Sequence, residues 1–220
     1  MTSYMPTARR PIADAFRLLA RGPAQALARA GVHPDVVSYG SIVASIGAGL
    51  CFWQSGTVPW LLLIAPIFCH LRLYLNMLDG MVALESGRAS LRGEIVNELP
   101  DRVSDVIIFA GVAHGGWASP IAAYWAAIMA LMTAYVGVLG QAVGARREYG
   151  GLMSKPWRMV ALHAGAWTTL AFIWWRGGDV RLAGWTVLDW TCVLVVAGCV
   201  QTVAARLRRI LRTLREKAAP

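Results

Sequence analysis

Residues 70 to 105 read HLRLYLNMLDGMVALESGRASLRGEIVNELPDRVSD, and they hold most of the ionisable side chains found inside the apolar runs of the chain. At 3.6 residues per turn, Arg72, Asn76, Asp79 and Ala83 fall within an arc of roughly 60 degrees, which makes them one helix face. On the following segment Glu94, Asn97, Glu98, Asp101 and Asp105 fall within roughly 100 degrees and make a second. The connection, Ser86 to Arg92, is short, so the two helices are expected to be antiparallel neighbours. Counted from a turn near Ser90, Asp79 then comes level with Asp101, Asn76 with Asp105 and Ala83 with Asn97. Acids gathered in this way repel one another and lose hydration unless a cation holds them ionised. Hard oxygen donors suit Mg2+ or Mn2+, which complete their coordination with substrate phosphate. Gly80 directly follows Asp79 and Gly93 opens the second helix, so a phosphate can approach the backbone there. Close helix packing is the other use of such glycines.

Outward from this stretch, the 220 residues are 57% hydrophobic and 15% charged, with a mean hydropathy of +0.51. That apolar surface exceeds what a soluble core of this length can bury, so lipid is the expected solvent. The net charge of +9 lies in short clusters between apolar runs, which argues for anionic lipid head groups and against nucleic acid. Cys51, Cys69, Cys192 and Cys199 all sit in apolar runs and read as small hydrophobes, with neither a disulfide framework nor zinc expected. No cleaved signal peptide is expected, because no apolar stretch follows a basic region before about residue 35.

Apolar runs near 36–54, 58–83, 94–114, 119–143, 157–175 and 184–205 predict an all-α integral membrane protein with six transmembrane helices. Arg9, Arg10, Arg17, Arg21 and Arg29 precede the first run, and Arg88 and Arg92 join the second to the third. Arg146, Arg147, Lys155 and Arg158 join the fourth to the fifth, and a further arginine-rich run, including Arg206 and Arg209, follows the sixth. By the positive-inside rule both termini and these loops are cytosolic, in the inner or plasma membrane. Trp53, Trp60, Trp117, Trp174, Trp175 and Trp185 mark the opposite interface. Residues 1–34 read as a cytosolic or interfacial segment whose amphipathic helix, with Ile12, Phe16, Leu19 and Leu27 on one side, is interrupted at Gly22-Pro23. Packing of that helix on the bundle is the alternative. Residues 35–220 form the six-helix domain.

The spacing Asn76, Asp79, Gly80, Ala83, Leu84, eight residues, Gly93, Asn97, Asp101 resembles the signature of the CDP-alcohol phosphotransferases, DxxDGxxAR, eight residues, GxxxDxxxD. Asp79, Gly80, Ala83, Gly93 and Asp101 match it; Asn76 and Asn97 stand where the family has aspartate, and Leu84 where it has arginine. The resemblance implies a metal-dependent transfer from a CDP-linked lipid such as CDP-diacylglycerol to an alcohol acceptor, with release of CMP. It implies Asp101 as general base, and Asp79, Asp101, Asn76 and Asn97 around Mg2+ or Mn2+. Gly80, Ala83 and Gly93 would lie against substrate, and Arg146, Lys155 and Arg158 would bind a phosphate of acceptor or nucleotide. With two acids replaced, one well-occupied metal is expected, held chiefly by Asp79 and Asp101. Glu98 or Asp105 is the candidate to restore the missing charge, with Asp105 favoured by helix phase. Arg72 is placed to pair with Asp105 or to bind an acceptor. The resemblance also implies a homodimer, for which Gly111 with Gly115 or Gly140 with Gly144 offer close helix contacts. His70 is expected to be packed or hydrogen-bonded, and Asp189 to cap a helix or lie at the interface, both outside the site. Two other readings stay open on the residues alone: a relative that binds nucleotide lipid without turnover, kept open by Asn76 and Asn97, and a transporter using the same polar faces.

Overall fold

A computed structural model describes residues 12–88 and 91–218, and the side chains of residues 12–19, 91, 92, 94 and 97 lie outside the described part. Seven α-helices make up almost all of it: α1 (Ile12–Arg29), α2 (Pro34–Gln54), α3 (Leu61–Glu85), α4 (Leu91–His114), α5 (Pro120–Ala142), α6 (Lys155–Arg176) and α7 (Val187–Ala218). The six predicted runs correspond to α2 through α7. Pro34, Pro120 and Pro156 sit in the first turns of α2, α5 and α6, where the missing N–H costs nothing. Four helices, α2, α3, α5 and α7, are long and apolar enough to cross a membrane, and the chain is an all-α, multi-pass membrane protein. The other two are more polar. Helix α4 carries the charged face quoted above, and α6 opens with Lys155 and Arg158 and closes with Arg176.

Helices α2 to α7 pack in a closed order, α2 on α3, α3 on α6, α6 on α7, α7 on α5, α5 on α4 and α4 back on α2. Here the expectation of α3 and α4 as directly packed neighbours is corrected. They touch only slightly, because α2 lies along both. Small residues on α2 allow this: a Cβ on Gly111 would come within 2.7 Å of the Cα of Gly49, and one on Gly49 within 2.8 Å of the carbonyl oxygen of Ile107. Gly115 meets the backbone of Phe52 in the same way, and Gly140 lies against Arg146 and Ile210. Three of the four glycines expected to serve a dimer are therefore used inside one protomer, and a homodimer would need another face.

Helix α1 runs through Gly22-Pro23 without a break, contrary to expectation. Ala20 and Ala24 are fully buried, and with Leu27 they pack against Val37, Leu78 and Val82, so tertiary packing outweighs the hydrogen bond that proline removes. Between α6 and α7 a two-residue hairpin pairs β1 (Arg181–Leu182) with β2 (Trp185–Thr186), an element the hydropathy pattern did not call for. Thr186 and Asp189 then cap α7 reciprocally, Asp189 N–H donating to Thr186 Oγ1 at 2.9 Å and Thr186 N–H to the Asp189 carboxylate at 3.0 Å. Asp189 also accepts from the N–H of Ser119, so its expected capping role is seen. Trp53, Trp60, Trp174, Trp175 and Trp185 are exposed, and all four cysteines are free thiols.

Candidate functional site

The polar faces of α3 and α4 meet the first turn of α6 at one end of the ring. Arg72 is completely buried and reaches across from α3 to α4. It donates to the Asp101 carbonyl oxygen at 2.9 Å, to the Asp101 carboxylate at 3.4 Å and to the Asp105 carboxylate at 3.0 Å. Arg158 of α6 takes the other Asp105 oxygen at 2.7 Å and also donates to Thr133 Oγ1 and to the Met153 carbonyl, both at 3.2 Å. Asp105 therefore sits, fully buried, between two guanidinium groups. Its expected part in a metal site is corrected by this pairing, because both of its oxygens already face buried cations and it does not line the cavity described below. The expected Arg72–Asp105 pair is present.

Lys155, at the first position of α6, donates from Nζ to Asn76 Oδ1 on α3 and to Asp101 Oδ1 on α4. Asp79 is buried beside them on α3, where it accepts from Ser38 of α2 and from the N–H of Gly80, both at 2.5 Å. It lies within Coulombic reach of Asp101 and Lys155. A Cβ at Gly80 would meet nothing within 4 Å, so this glycine marks open space beside the acid rather than helix packing. Ala83 is half-buried one turn further on, and Gly93 is half-buried in the first turn of α4. The side chain of Asn97 lies outside the described residues. Ser90, about which the register was counted, does too.

A cavity of about 290 Å³ opens beside Asp101 and Asn76. Five cations line it, Arg102, Arg147, Lys155, Arg158 and Arg206, against three carboxylates, Glu98, Asp101 and Glu148. Glu98 pairs with Arg102 and Arg147, so it is a poor candidate to restore charge at a metal. The loop after α5 forms one wall: Glu148 N–H donates to the Gly137 carbonyl, and Arg206 of α7 holds the carbonyls of Tyr149, Gly150 and Thr133. Gly151 has a φ of 130° and presses on Thr202, a conformation and an approach open only to glycine. Of the basic residues expected to bind phosphate, the structure brings Lys155 and Arg158 to the cavity but not Arg146, which is exposed; its neighbour Arg147 enters instead. Arg206 is read from the sequence only as a mark of topology, and Arg102 is given no role there. Their signal was spacing on helices whose mutual packing the sequence does not state. His70 hydrogen-bonds His163 at 2.7 Å, away from this cavity, as expected of a residue outside the site.

Among the described residues no three His, Cys, Asp or Glu side chains cluster as a metal site. The donor set at this end is instead two carboxylates, Asp79 and Asp101, with the carboxamide of Asn76. These are hard oxygen donors, and an ammonium already bridges two of them, so their chemistry fits a divalent cation.

These features define a multi-pass helical membrane protein with acids and cations gathered at one end of its bundle. No family model matches the chain. It is 31% identical over 203 residues to a phosphatidylinositol phosphate synthase of Mycobacteroides abscessus, an alignment covering 90% of this chain and 86% of that protein. The phosphatidylinositol phosphate synthase PgsA1 of Mycobacterium tuberculosis has the same fold. Its structure in complex with manganese and citrate matches with a TM-score of 0.69 and 25% identity, covering 89% of this chain and 88% of that one. With CDP-DAG bound, the same enzyme matches with a TM-score of 0.68 and 24% identity, over 89% and 92% of the two chains. The present chain belongs to the CDP-alcohol phosphotransferase family, enzymes that transfer substituted phosphate groups.

Proposed function

We propose that the protein transfers a phosphatidyl group from a CDP-linked lipid, CDP-diacylglycerol in particular, to an alcohol that itself carries a phosphate, releasing CMP. The observation that carries this reading is the cavity beside Asp101, where five cations face three carboxylates. An excess of guanidinium and ammonium groups in a partly desolvated cleft selects anions, and arginine suits phosphate in particular. The relatives are named for a phosphorylated product, and the M. tuberculosis enzyme holds CDP-DAG. Both statements support the same assignment here.

In the reaction, the acceptor hydroxyl attacks the phosphorus that carries the diacylglycerol. The bond from that phosphorus to the bridging oxygen breaks, and CMP leaves with the electron pair. Asp101 takes the hydroxyl proton. Arg72 serves this step by fixing the Asp101 main chain and carboxylate together, so the base is held in one orientation. Arg147, Lys155, Arg158 and Arg206 would hold the acceptor phosphate and position its hydroxyl, and positioning supplies much of the rate in phosphoryl transfer. The open space at Gly80 admits the pyrophosphate beside Asp79. Asp79, Asp101 and Asn76, with Asn97 beside them in sequence phase, would hold Mg2+ or Mn2+, a cofactor supported by the manganese complex of the relative. Such a cation neutralises charge that develops on the pyrophosphate.

The membrane arrangement that accompanies this reading has six spans, α2 to α7. The site, both termini and the 143–154 loop lie on the cytosolic side, and α1 lies at the interface against α3. The test is direct. Protein purified into nanodiscs with CDP-diacylglycerol and Mn2+ should release CMP with a phosphorylated polyol such as inositol phosphate and much less with the unphosphorylated alcohol, and mass spectrometry should find the matching lipid. Equal use of charged and uncharged acceptors would defeat the assignment of the cavity, and an absence of CMP release with every alcohol would defeat the transferase reading.

A further inference from the structure

Two serines of α2 show where a buried hydroxyl ordinarily finds an acceptor. Ser41 and Ser45 are fully buried, and each donates back into its own helix, to the Ser38 carbonyl at 2.7 Å and to the Ser41 carbonyl at 2.8 Å. Ser38 lies on the same helix and is also buried, but its hydroxyl goes elsewhere. The carbonyl of Pro34, one turn back, stands at 3.4 Å, the outer limit of a hydrogen bond, whereas Asp79 Oδ2 on α3 accepts at 2.5 Å. A hydroxyl has one proton to give. That of Ser38 leaves its own helix for an acid 41 residues away.

The bond has consequences for the acid. Gly80 N–H donates to Asp79 Oδ1 at 2.5 Å, so one oxygen is held by the main chain of α3 and the other by α2. Donors on both oxygens fix the plane of the carboxylate as well as its position. The turn that carries Ser38 is itself braced. Val37 and Leu78, which precede Ser38 and Asp79, pack in one apolar cluster with Val82 and with Ala20 and Ala24 of α1. Helix α1 therefore presses the Ser38 turn of α2 onto the Asp79 turn of α3. Outer hydrogen bonds of this kind orient carboxylates that bind metal ions, and losing one typically costs about 10–100-fold in metal affinity.

Resting on the transferase reading above, we infer that Ser38 is a positioning residue of the active site: its hydroxyl sets the orientation in which the Asp79 carboxylate is offered to the divalent cation. Helix α2 then does more than separate α3 from α4, because it supplies the group that orients an acid of α3.

Binding of Mn2+ alone, followed by electron paramagnetic resonance on the full chain in nanodiscs, tests this without any turnover. Ser38→Ala removes the donor, and Ser38→Cys puts a weak donor of similar size in its place. Both should bind Mn2+ about tenfold or more weakly than the wild type. Ser38→Thr keeps the hydroxyl and should retain wild-type affinity, a rescue that a mere packing role would not produce. Unchanged Mn2+ affinity in a folded Ser38→Ala or Ser38→Cys protein would overturn the inference. So would a Ser38→Thr protein that binds as weakly as Ser38→Ala. Should one of the two donor-removing variants not fold, the other decides; should neither fold, the bond serves the fold and the inference falls. A wild-type protein that binds no Mn2+ would overturn it as well. One that binds Mn2+ but no CDP-diacylglycerol would instead refute the transferase reading and leave the serine comparison standing, which keeps the two failures apart.

Discussion

Asp101 is held twice: Arg72 donates to its carbonyl oxygen and to its carboxylate Oδ1, and Lys155 donates to the same Oδ1. Asp101→Asn preserves the shape and most of these contacts while removing basicity. Turnover should fall by at least about 100-fold with CDP-lipid binding retained, measured as CMP release against equilibrium binding. Undiminished CMP release would take the base role from Asp101. Asp105 supports a different expectation, because it faces two buried guanidinium groups and no solvent. Asp105→Asn leaves Arg158 without its counter-charge and Arg72 with only the longer contact to Asp101, and the protein should lose about 3–5 kcal/mol of stability, read by denaturant unfolding in detergent. Of these residues, Asp79 and Asp101 were legible from spacing alone, and so was the Arg72–Asp105 pair. The part of Asp105 as a link between two arginines was not, since Arg158 lies 53 residues away on a helix whose position depends on the rest of the ring.

At the scale of elements, the contact between α2 and α4 sets the distance across which Arg72 must reach. It depends on backbones approaching at Gly49, Gly111 and Gly115. Gly111→Val should force these helices apart and destabilise the protein by about 1–3 kcal/mol or more, a cost typical of overpacking. The same change should weaken CDP-lipid binding although residue 111 touches no substrate. A variant with unchanged melting would show that the approach can relax freely. Helix α7 extends about 48 Å at 1.5 Å per residue, well beyond a membrane thickness. Its later turns are basic and carry Arg206 and Arg209 to the loop after α5, where Arg206 fixes carbonyls and Arg209 pairs with Glu148. The hydropathy reading ended this helix near residue 205 because apolarity ends there. Backbone hydrogen bonding does not require apolarity, and contacts with the loop keep the polar turns folded.

Across the whole molecule, most basic side chains and the candidate site share one end, and Trp53, Trp60, Trp174, Trp175 and Trp185 are exposed toward the other, while Trp157 is exposed at the site end. If the positive-inside rule holds here, a cysteine placed at exposed Arg146 should react with an impermeant reagent only from the cytosolic side. One at Gly178, between α6 and β1, should react only from the opposite side, where a Cβ meets nothing within 4 Å. Labelling of both from the same side would sink the six-span arrangement. The ring of six helices also explains why the polar residues tolerate a membrane: Arg72, Asp105 and Arg158 turn inward, where each finds a partner, and lipid meets aliphatic and aromatic side chains.

What the sequence determined by itself was whatever depends on neighbours within a few turns: the approximate limits of the long apolar helices, the two polar faces of α3 and α4, and the spacing that marks the family. Hydropathy and helical phase are local properties, and they are written residue by residue. The tertiary structure alone decided that α2 separates α3 from α4, that α1 passes unbroken through Pro23, and that Asp105 belongs to two arginines. It also brought Lys155 onto Asn76 and Asp101, residues 79 and 54 positions away. Such meetings follow from how six helices close into a ring, and that closure is set by backbone approach at a few small residues whose partners lie far along the chain.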